Sequence, residues 1–201
     1  MDSILIKIVV SGDSFVGKTS LLNRIVSEDY NESCKPTTGI DFLVRTHNGY
    51  KLQLWDTSGS DHFFKLVQSY YREAQVILLV FDVNRRETYD SIETKWRPHV
   101  QWENGKSPFS NQGLMVYLVG QKGDMGRRET SYEEADQYAN LHKMVYMETS
   151  AKTGWGVKEL FVDIIANQPS VPLVVVTKNI EEEEDQHPLI IYNDKSCCSL
   201  L

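Results

Sequence analysis

Eight residues near the start of the chain, Gly12-Asp13-Ser14-Phe15-Val16-Gly17-Lys18-Thr19, constrain its fold more than any other feature. The pattern G-x4-G-K-[ST] needs a buried strand before it and a helix behind it. The glycines let backbone N–H groups curl around a polyphosphate, and the helix N-terminus favours the negative charge. Both flanks are present. Residues 4–10 form an apolar run that reads as a buried strand, and Leu21, Leu22, Ile25 and Val26 make the apolar face of a helix. In such a loop Lys18 bridges β- and γ-phosphates, and the Thr19 hydroxyl binds Mg²⁺.

Beyond this loop, apolar runs alternate with helical patterns, the signature of a parallel sheet wrapped by helices. Residues 40–46 and 50–56 read as two strands joined at Asn48-Gly49, a favoured hairpin turn. Residues 76–81, 114–119 and 144–147 are further short strands. Val157, Leu160, Phe161, Ile164 and Ile165 fall on one helical face, and Ser131 with Glu134 has the spacing of a capping box. Tyr89, Ile92 and Trp96 suggest a helix that Pro98 should kink or end. The expectation is an α/β fold: a six-stranded, mostly parallel sheet with one antiparallel edge strand and helices on both faces. Residues 1–167 form this domain, residues 103–113 a surface loop, and residues 168–201 a largely disordered tail around the acidic run 181–185.

Three more segments carry chemistry. Asp56, at the end of its strand and three residues before Gly59, suits Mg²⁺ binding followed by a mobile loop. Gly120-Gln121-Lys122-Gly123-Asp124 and Glu148-Thr149-Ser150-Ala151-Lys152 follow two later strands. The Asp124 carboxylate can accept both N1–H and the N2 amino group of guanine, which adenine does not offer. Loops at successive strand ends would wall a base pocket at the carboxyl edge of the sheet. Composition removes competing classes. Net charge is −7 with no basic stripe, which argues against nucleic acid. No apolar run approaches the length of a membrane span, no secretory leader is expected, and Cys34, Cys197 and Cys198 do not form a disulfide framework. A cytosolic setting follows as an expectation.

In this order, residues 12–19, Thr37, 56–59, 121–124 and 150–152 resemble the five motifs of Ras-like GTPases, over about residues 3–167. Thr38-Gly39-Ile40-Asp41-Phe42, Lys51-Leu52-Gln53-Leu54-Trp55-Asp56-Thr57 and Tyr70-Tyr71-Arg72-Glu73-Ala74 resemble segments of the Rab family in particular. The resemblance implies a GTP/GDP switch acting with Mg²⁺ in membrane traffic. It implies nucleotide contacts from Ser14, Phe15, Val16, Gly17, Lys18, Thr19, Ser20, Tyr30, Thr37, Gly59, Gln121, Lys122, Asp124, Ser150, Ala151 and Lys152. Thr19, Thr37 and Asp56 form the metal site, while Lys18, Thr37, Gly59 and residue 60 serve hydrolysis. Phe42, Trp55 and Tyr70 match the aromatic triad that presents the two switch loops to effectors. An exchange factor and a GTPase-activating protein are the regulatory partners.

The chain departs from the family pattern at several positions. Ser60 stands where the family has the Gln that orients the attacking water, so intrinsic hydrolysis is expected to be very slow. Gln121 replaces an Asn and is one methylene longer, so its bonds are expected to be misplaced and GDP release to be fast. Thr38 and Asp61-His62 are further departures. Near the end, Cys197-Cys198-Ser199-Leu200-Leu201 resembles the paired-cysteine Rab ending, which implies dual prenylation, a prenyl-binding escort protein and attachment to the cytosolic face of membranes. Two rivals remain at this stage: a nucleotide-binding scaffold with essentially no turnover, suggested by Ser60, and a P-loop kinase or ATPase. The latter gives no reason for Asp124 or Ser150-Ala151-Lys152.

Overall fold

The strand after strand of Val, Ile and Leu finds its explanation in a sheet covered on both sides. The computed structural model describes residues 3–32, 36–102 and 114–168. Cys34, the 103–113 loop, the tail from residue 169 and the two terminal cysteines lie outside the described residues.

The sheet has six strands in the order β2-β3-β1-β4-β5-β6. These are β1 (Ile4–Ser11), β2 (Ile40–His47), β3 (Tyr50–Thr57), β4 (Val76–Asp82), β5 (Met115–Gln121) and β6 (Val145–Thr149). Only β2 runs antiparallel to its neighbour, pairing with β3 through the Asn48-Gly49 turn; the other neighbours are parallel. The expected fold class is therefore the observed one. Central β4 is buried at every residue, as a parallel strand covered on both faces must be.

Alternation along the strands divides the core. Ile6, Ile8 and Val10 of β1 pack with Leu54, Leu78 and Tyr117 beneath α1 (Lys18–Ser27) and α6 (Val157–Ala166). Val9, Ile77, Leu79 and Phe81 face the other way. They lie under α2 (Phe64–Tyr70), α3 (Arg86–Ser91), α4 (Arg97–Trp102) and α5 (Tyr132–Leu141). The parallel strands all point their carboxyl ends at one edge, so the loops after β1, β3, β5 and β6 emerge together. This is where ligands bind in open α/β sheets.

Local expectations were corrected in two places. Pro98 does not end its helix. A π turn over Ile92–Trp96 separates α3 from α4, with the Arg97 N–H reaching back to the Ile92 carbonyl, and the helix runs on through Pro98. The wider turn just ahead of the ring makes room for it, as π bulges do. The capping box is only half formed. Ser131 Oγ accepts from the Glu134 N–H at 3.1 Å, but the Glu134 carboxylate is drawn instead to Arg86 at 2.7 Å.

One junction sets the geometry of the β6–α6 loop. Gly156 has φ of 72°, and a β-carbon there would sit 2.1 Å from the Glu148 carbonyl oxygen. Glycine alone permits this left-handed backbone and close approach. Gly156→Ala is expected to cost about 2–4 kcal/mol of stability, from backbone strain and overpacking together. Urea unfolding checks this; a loss below about 1 kcal/mol would contradict the strand–helix junction described here.

Candidate functional site

The loop leaving β1 wraps its own lysine. Lys18 Nζ donates to the Gly12 and Asp13 carbonyl oxygens, both at 2.8 Å, and the side chain is buried. Burial pushes the ammonium down to about 8, against the pull of the Asp56 and Asp13 carboxylates. Phosphate charge at this position would oppose that desolvation. Phe15 adopts φ of 65°, a backbone conformation that bulky residues rarely take. Its carbonyl accepts from Lys122 Nζ at 2.8 Å, so the base loop helps hold the phosphate loop in shape. The Val16 side chain is buried in the core, which leaves only its backbone available to a ligand.

Beside Lys18 the three expected metal residues converge. Thr19 Oγ1 lies 2.8 Å from Thr37 Oγ1, and both hydroxyls donate to Asp56 Oδ2, at 2.5 and 3.2 Å. Asp56 is buried and its carboxyl is raised by desolvation, with the Thr19 hydrogen bond opposing. Its other oxygen, Oδ1, has no hydrogen-bond partner among the described residues. Two hydroxyls and a carboxylate with an unused oxygen form a hard oxygen donor set of the kind Mg²⁺ accepts. No cluster of three His, Cys, Asp or Glu exists among the described residues, so a site here depends on the threonines.

Two adjoining cavities open at this edge. One is lined by Ser14, Phe15, Gly17, Lys18, Thr19, Ser20, Thr37 and Gly59. The other is lined by Tyr30, Gln121, Lys122, Asp124, Ala151 and Lys152, and it shares Gly17, Ser20 and Lys122 with the first. Gly59 approaches the phosphate loop so closely that a β-carbon would fall 2.3 Å from the Ser14 nitrogen. Ser60 lines neither cavity. It precedes a 3₁₀ turn (Asp61–Phe63), and its N–H donates to Ser58 Oγ at 3.2 Å. Ser150 also stays out of the cavities; it is buried, and its Oγ accepts from the Thr153 N–H. Phe42, Trp55 and Tyr70 line neither cavity and form a continuous aromatic contact, with ring centroids 4.6 and 4.8 Å apart.

Gln121 departs from what its extra methylene suggested. Its amide is buried and engaged: Oε1 accepts from the Lys122 N–H at 2.9 Å, and from Thr149 Oγ1 and the Ala151 N–H at 3.2 Å. Only the bond from Nε2 to the Gly17 carbonyl is long, at 3.5 Å. The residue thus ties three loops together. Several supporting groups were not foreseen. Arg24 of α1 donates to the Ala151 and Lys152 carbonyls at 2.8 and 2.7 Å. Buried Asp82 pairs with Lys122 at 2.7 Å, and Arg128 grips Glu148 with two 2.6 Å bonds. Their signal is absent from local sequence, because each depends on strands meeting in space.

Removing the Gln121 amide leaves the Ala151 N–H and the Thr149 hydroxyl buried and short of a partner. An unmade buried hydrogen bond costs about 1–3 kcal/mol. Gln121→Ala is therefore expected to speed GDP dissociation by about tenfold or more. Stopped-flow release of a fluorescent GDP derivative measures it, and an unchanged rate would show that the three-loop tie does not govern nucleotide hold.

Comparison with known proteins agrees with the geometry. The model of the Ras family matches residues 7–169. The chain is 38% identical over 161 residues to "Ras-related protein rab-39" of Caenorhabditis elegans, covering 77% of this chain and 69% of that protein. With a mostly parallel sheet whose Gly12–Thr19 loop, Asp56 and later strand-end loops meet at one edge, the chain belongs to the Rab family of small GTPases in the Ras superfamily.

Proposed function

We propose that this GTPase is a Mg²⁺-dependent switch that recruits effectors to membranes in vesicle traffic and hydrolyses GTP very slowly by itself. The observation that carries the reading is the meeting of the Thr19 and Thr37 hydroxyls on Asp56 beside buried Lys18. Thr37 belongs to a loop whose ordering would depend on what lies between it and the phosphate loop. Such order–disorder changes are how a γ-phosphate is read.

In this reading Thr19 and Thr37 hold the metal, and Asp56 accepts from both hydroxyls behind it. Mg²⁺, when bound, neutralises charge developing on the transferring phosphoryl group. Lys18 supplies a fixed cation to the same oxygens. The Gly59 N–H, carried close to the phosphate loop, responds to the γ-phosphate. Asp124 and the Gln121-braced loops select guanine. Phe42 is 42% exposed and joins Trp55 and Tyr70 in a surface suited to an aromatic-lined effector contact. An exchange factor and a GTPase-activating protein would set the cycle. Lipids on Cys197 and Cys198, carried by a prenyl-binding escort, would provide attachment. The acidic tail supplies no polybasic signal, so two chains would be needed. No described helix is long and apolar enough to cross a membrane.

Ser60 is the reason for slow turnover. A serine hydroxyl is too short to reach from the backbone after Gly59 to a water in line with the γ-phosphate. Misplacing one positioning group costs about 10²-fold in rate. Ser60→Gln is expected to raise single-turnover GTP hydrolysis by at least about tenfold. An unchanged rate, in protein with GTP and Mg²⁺ bound, would contradict this account of the site.

A further inference from the structure

The π turn over Ile92–Trp96 does something a regular helix would not. Consecutive helical residues diverge around the axis and do not face one another. Here Lys95 and Trp96 both reach the same carboxylate oxygen: Trp96 Nε1 donates to Asp13 Oδ1 at 2.9 Å, and Lys95 Nζ lies 3.5 Å from it. Asp13 belongs to the phosphate loop, and its carbonyl is one of the two oxygens that hold Lys18. Lys95 Nζ also bonds Asp61 Oδ1 at 2.6 Å, just beyond Gly59 and Ser60. π turns recur where a helix has been adapted to a task beyond packing.

We propose that Lys95 is a positioning residue for the GTPase switch, tying the segment after Gly59 to the phosphate loop through Asp61 and Asp13. The inference rests on the guanine-nucleotide reading of the edge and adds a residue that none of the nucleotide motifs contains.

An isolated surface pair would contribute little, and Asp61 is largely exposed, with its side chain 87% accessible. Lys95 differs from a free surface lysine because its position is already fixed. Its side chain is 25% accessible, and its ammonium lies 4.6 Å from the Trp96 ring centroid and 5.6 Å from that of Phe64. Phe64 and Trp96 meet edge to face at 5.5 Å, so the lysine sits in a corner between the helix and the segment it holds. With the cation already placed, Asp61 alone must be ordered to complete the bond, which lowers the entropy cost of the pair. The same corner opens onto the site: the Lys95 charge is among those acting on Lys18, where it opposes protonation.

The arrangement is seen with Thr37 closed on Thr19 and Asp56, and with Gly59 pressed on the phosphate loop. Whatever stabilises that closed form favours the nucleotide that needs it, by the ratio of affinities for the two forms. Lys95 should therefore favour GTP over GDP.

The test is the ratio of affinities for GTPγS and GDP, measured with Mg²⁺ on the full chain and four variants. Lys95→Met is expected to lower the GTPγS:GDP affinity ratio about three- to tenfold, the range of a pinned but partly exposed ion pair. Lys95→Arg should retain most of the ratio. Asp61→Asn should lower it by no more than Lys95→Met does, and the double variant should fall no further than Lys95→Met alone. If Lys95→Met does not fold, Asp61→Asn carries the test, because its exposed side chain is outside the core. Equal weakening of both nucleotides, additive effects of the two substitutions, or an unchanged ratio in Asp61→Asn would each overturn the proposal. Wild-type protein that binds neither nucleotide would instead overturn the reading on which it rests.

Discussion

The hydrogen bonds from Thr19 and Thr37 to buried Asp56 are the point on which the rest of the structure turns. They join the first turn of α1, the loop before β2 and the end of β3, three segments far apart in the chain. A buried carboxylate is costly unless it is bonded or beside a cation. Here two hydroxyls meet one oxygen, Lys18 adds its field, and the second oxygen is left for another partner. The sheet exists, in functional terms, to bring this group to the carboxyl edge. β3 lies parallel to β1 with Val10 opposite Asp56, so the Asp56 end of β3 arrives directly beside the start of the phosphate loop.

A second layer of contacts fixes the loops that surround the junction. Gln121 bonds groups from three of them, Lys122 spans Asp82 and the Phe15 carbonyl, and Arg24 holds two carbonyls of the β6–α6 loop. Lys122 and Arg24 donate to backbone carbonyls and a buried carboxylate, whereas Gln121 mostly accepts, through Oε1, from two N–H groups and a hydroxyl. The edge is thus preorganised by side chains of the scaffold, donors and an acceptor together. The segment after Gly59 is fixed in a different way. It is held from the α3 side by Lys95, while Ser60 makes local bonds, its N–H donating to Ser58 Oγ and its carbonyl accepting from the Phe63 N–H.

How much of this was legible in the chain follows from the range of each interaction. The phosphate loop could be read because its chemistry is compressed into eight consecutive residues between a strand and a helix. Asp56, Asp124 and Ala151 could be read because each follows a recognisable apolar strand, and parallel topology gathers strand ends. Thr37 and Tyr30 lack any local pattern and were reached only through family resemblance. Arg24, Asp82 and Lys95 were not foreseen, since an arginine on a helix or an aspartate after a strand has many ordinary uses. Of the two outcomes expected at Pro98, a kink or an end, the end does not occur, for a related reason. The rule that proline breaks a helix assumes a regular turn before it, and the π turn supplies a different one. Gln121 shows the opposite lesson: a longer side chain at a tight site still makes three bonds at Oε1, and only its Nε2 bond to Gly17 is long.

The central claim is that the Thr19–Asp56–Thr37 junction is a metal-linked hold on nucleotide. The most direct test measures GDP dissociation with excess Mg²⁺ and after chelation with EDTA, in the wild type and in Thr19→Ala. The account predicts that chelation speeds release from the wild type by at least about tenfold, the loss of a metal-mediated charge contact. It also predicts that Thr19→Ala releases GDP quickly under both conditions. Release that is slow and indifferent to Mg²⁺ in the wild type would contradict the claim.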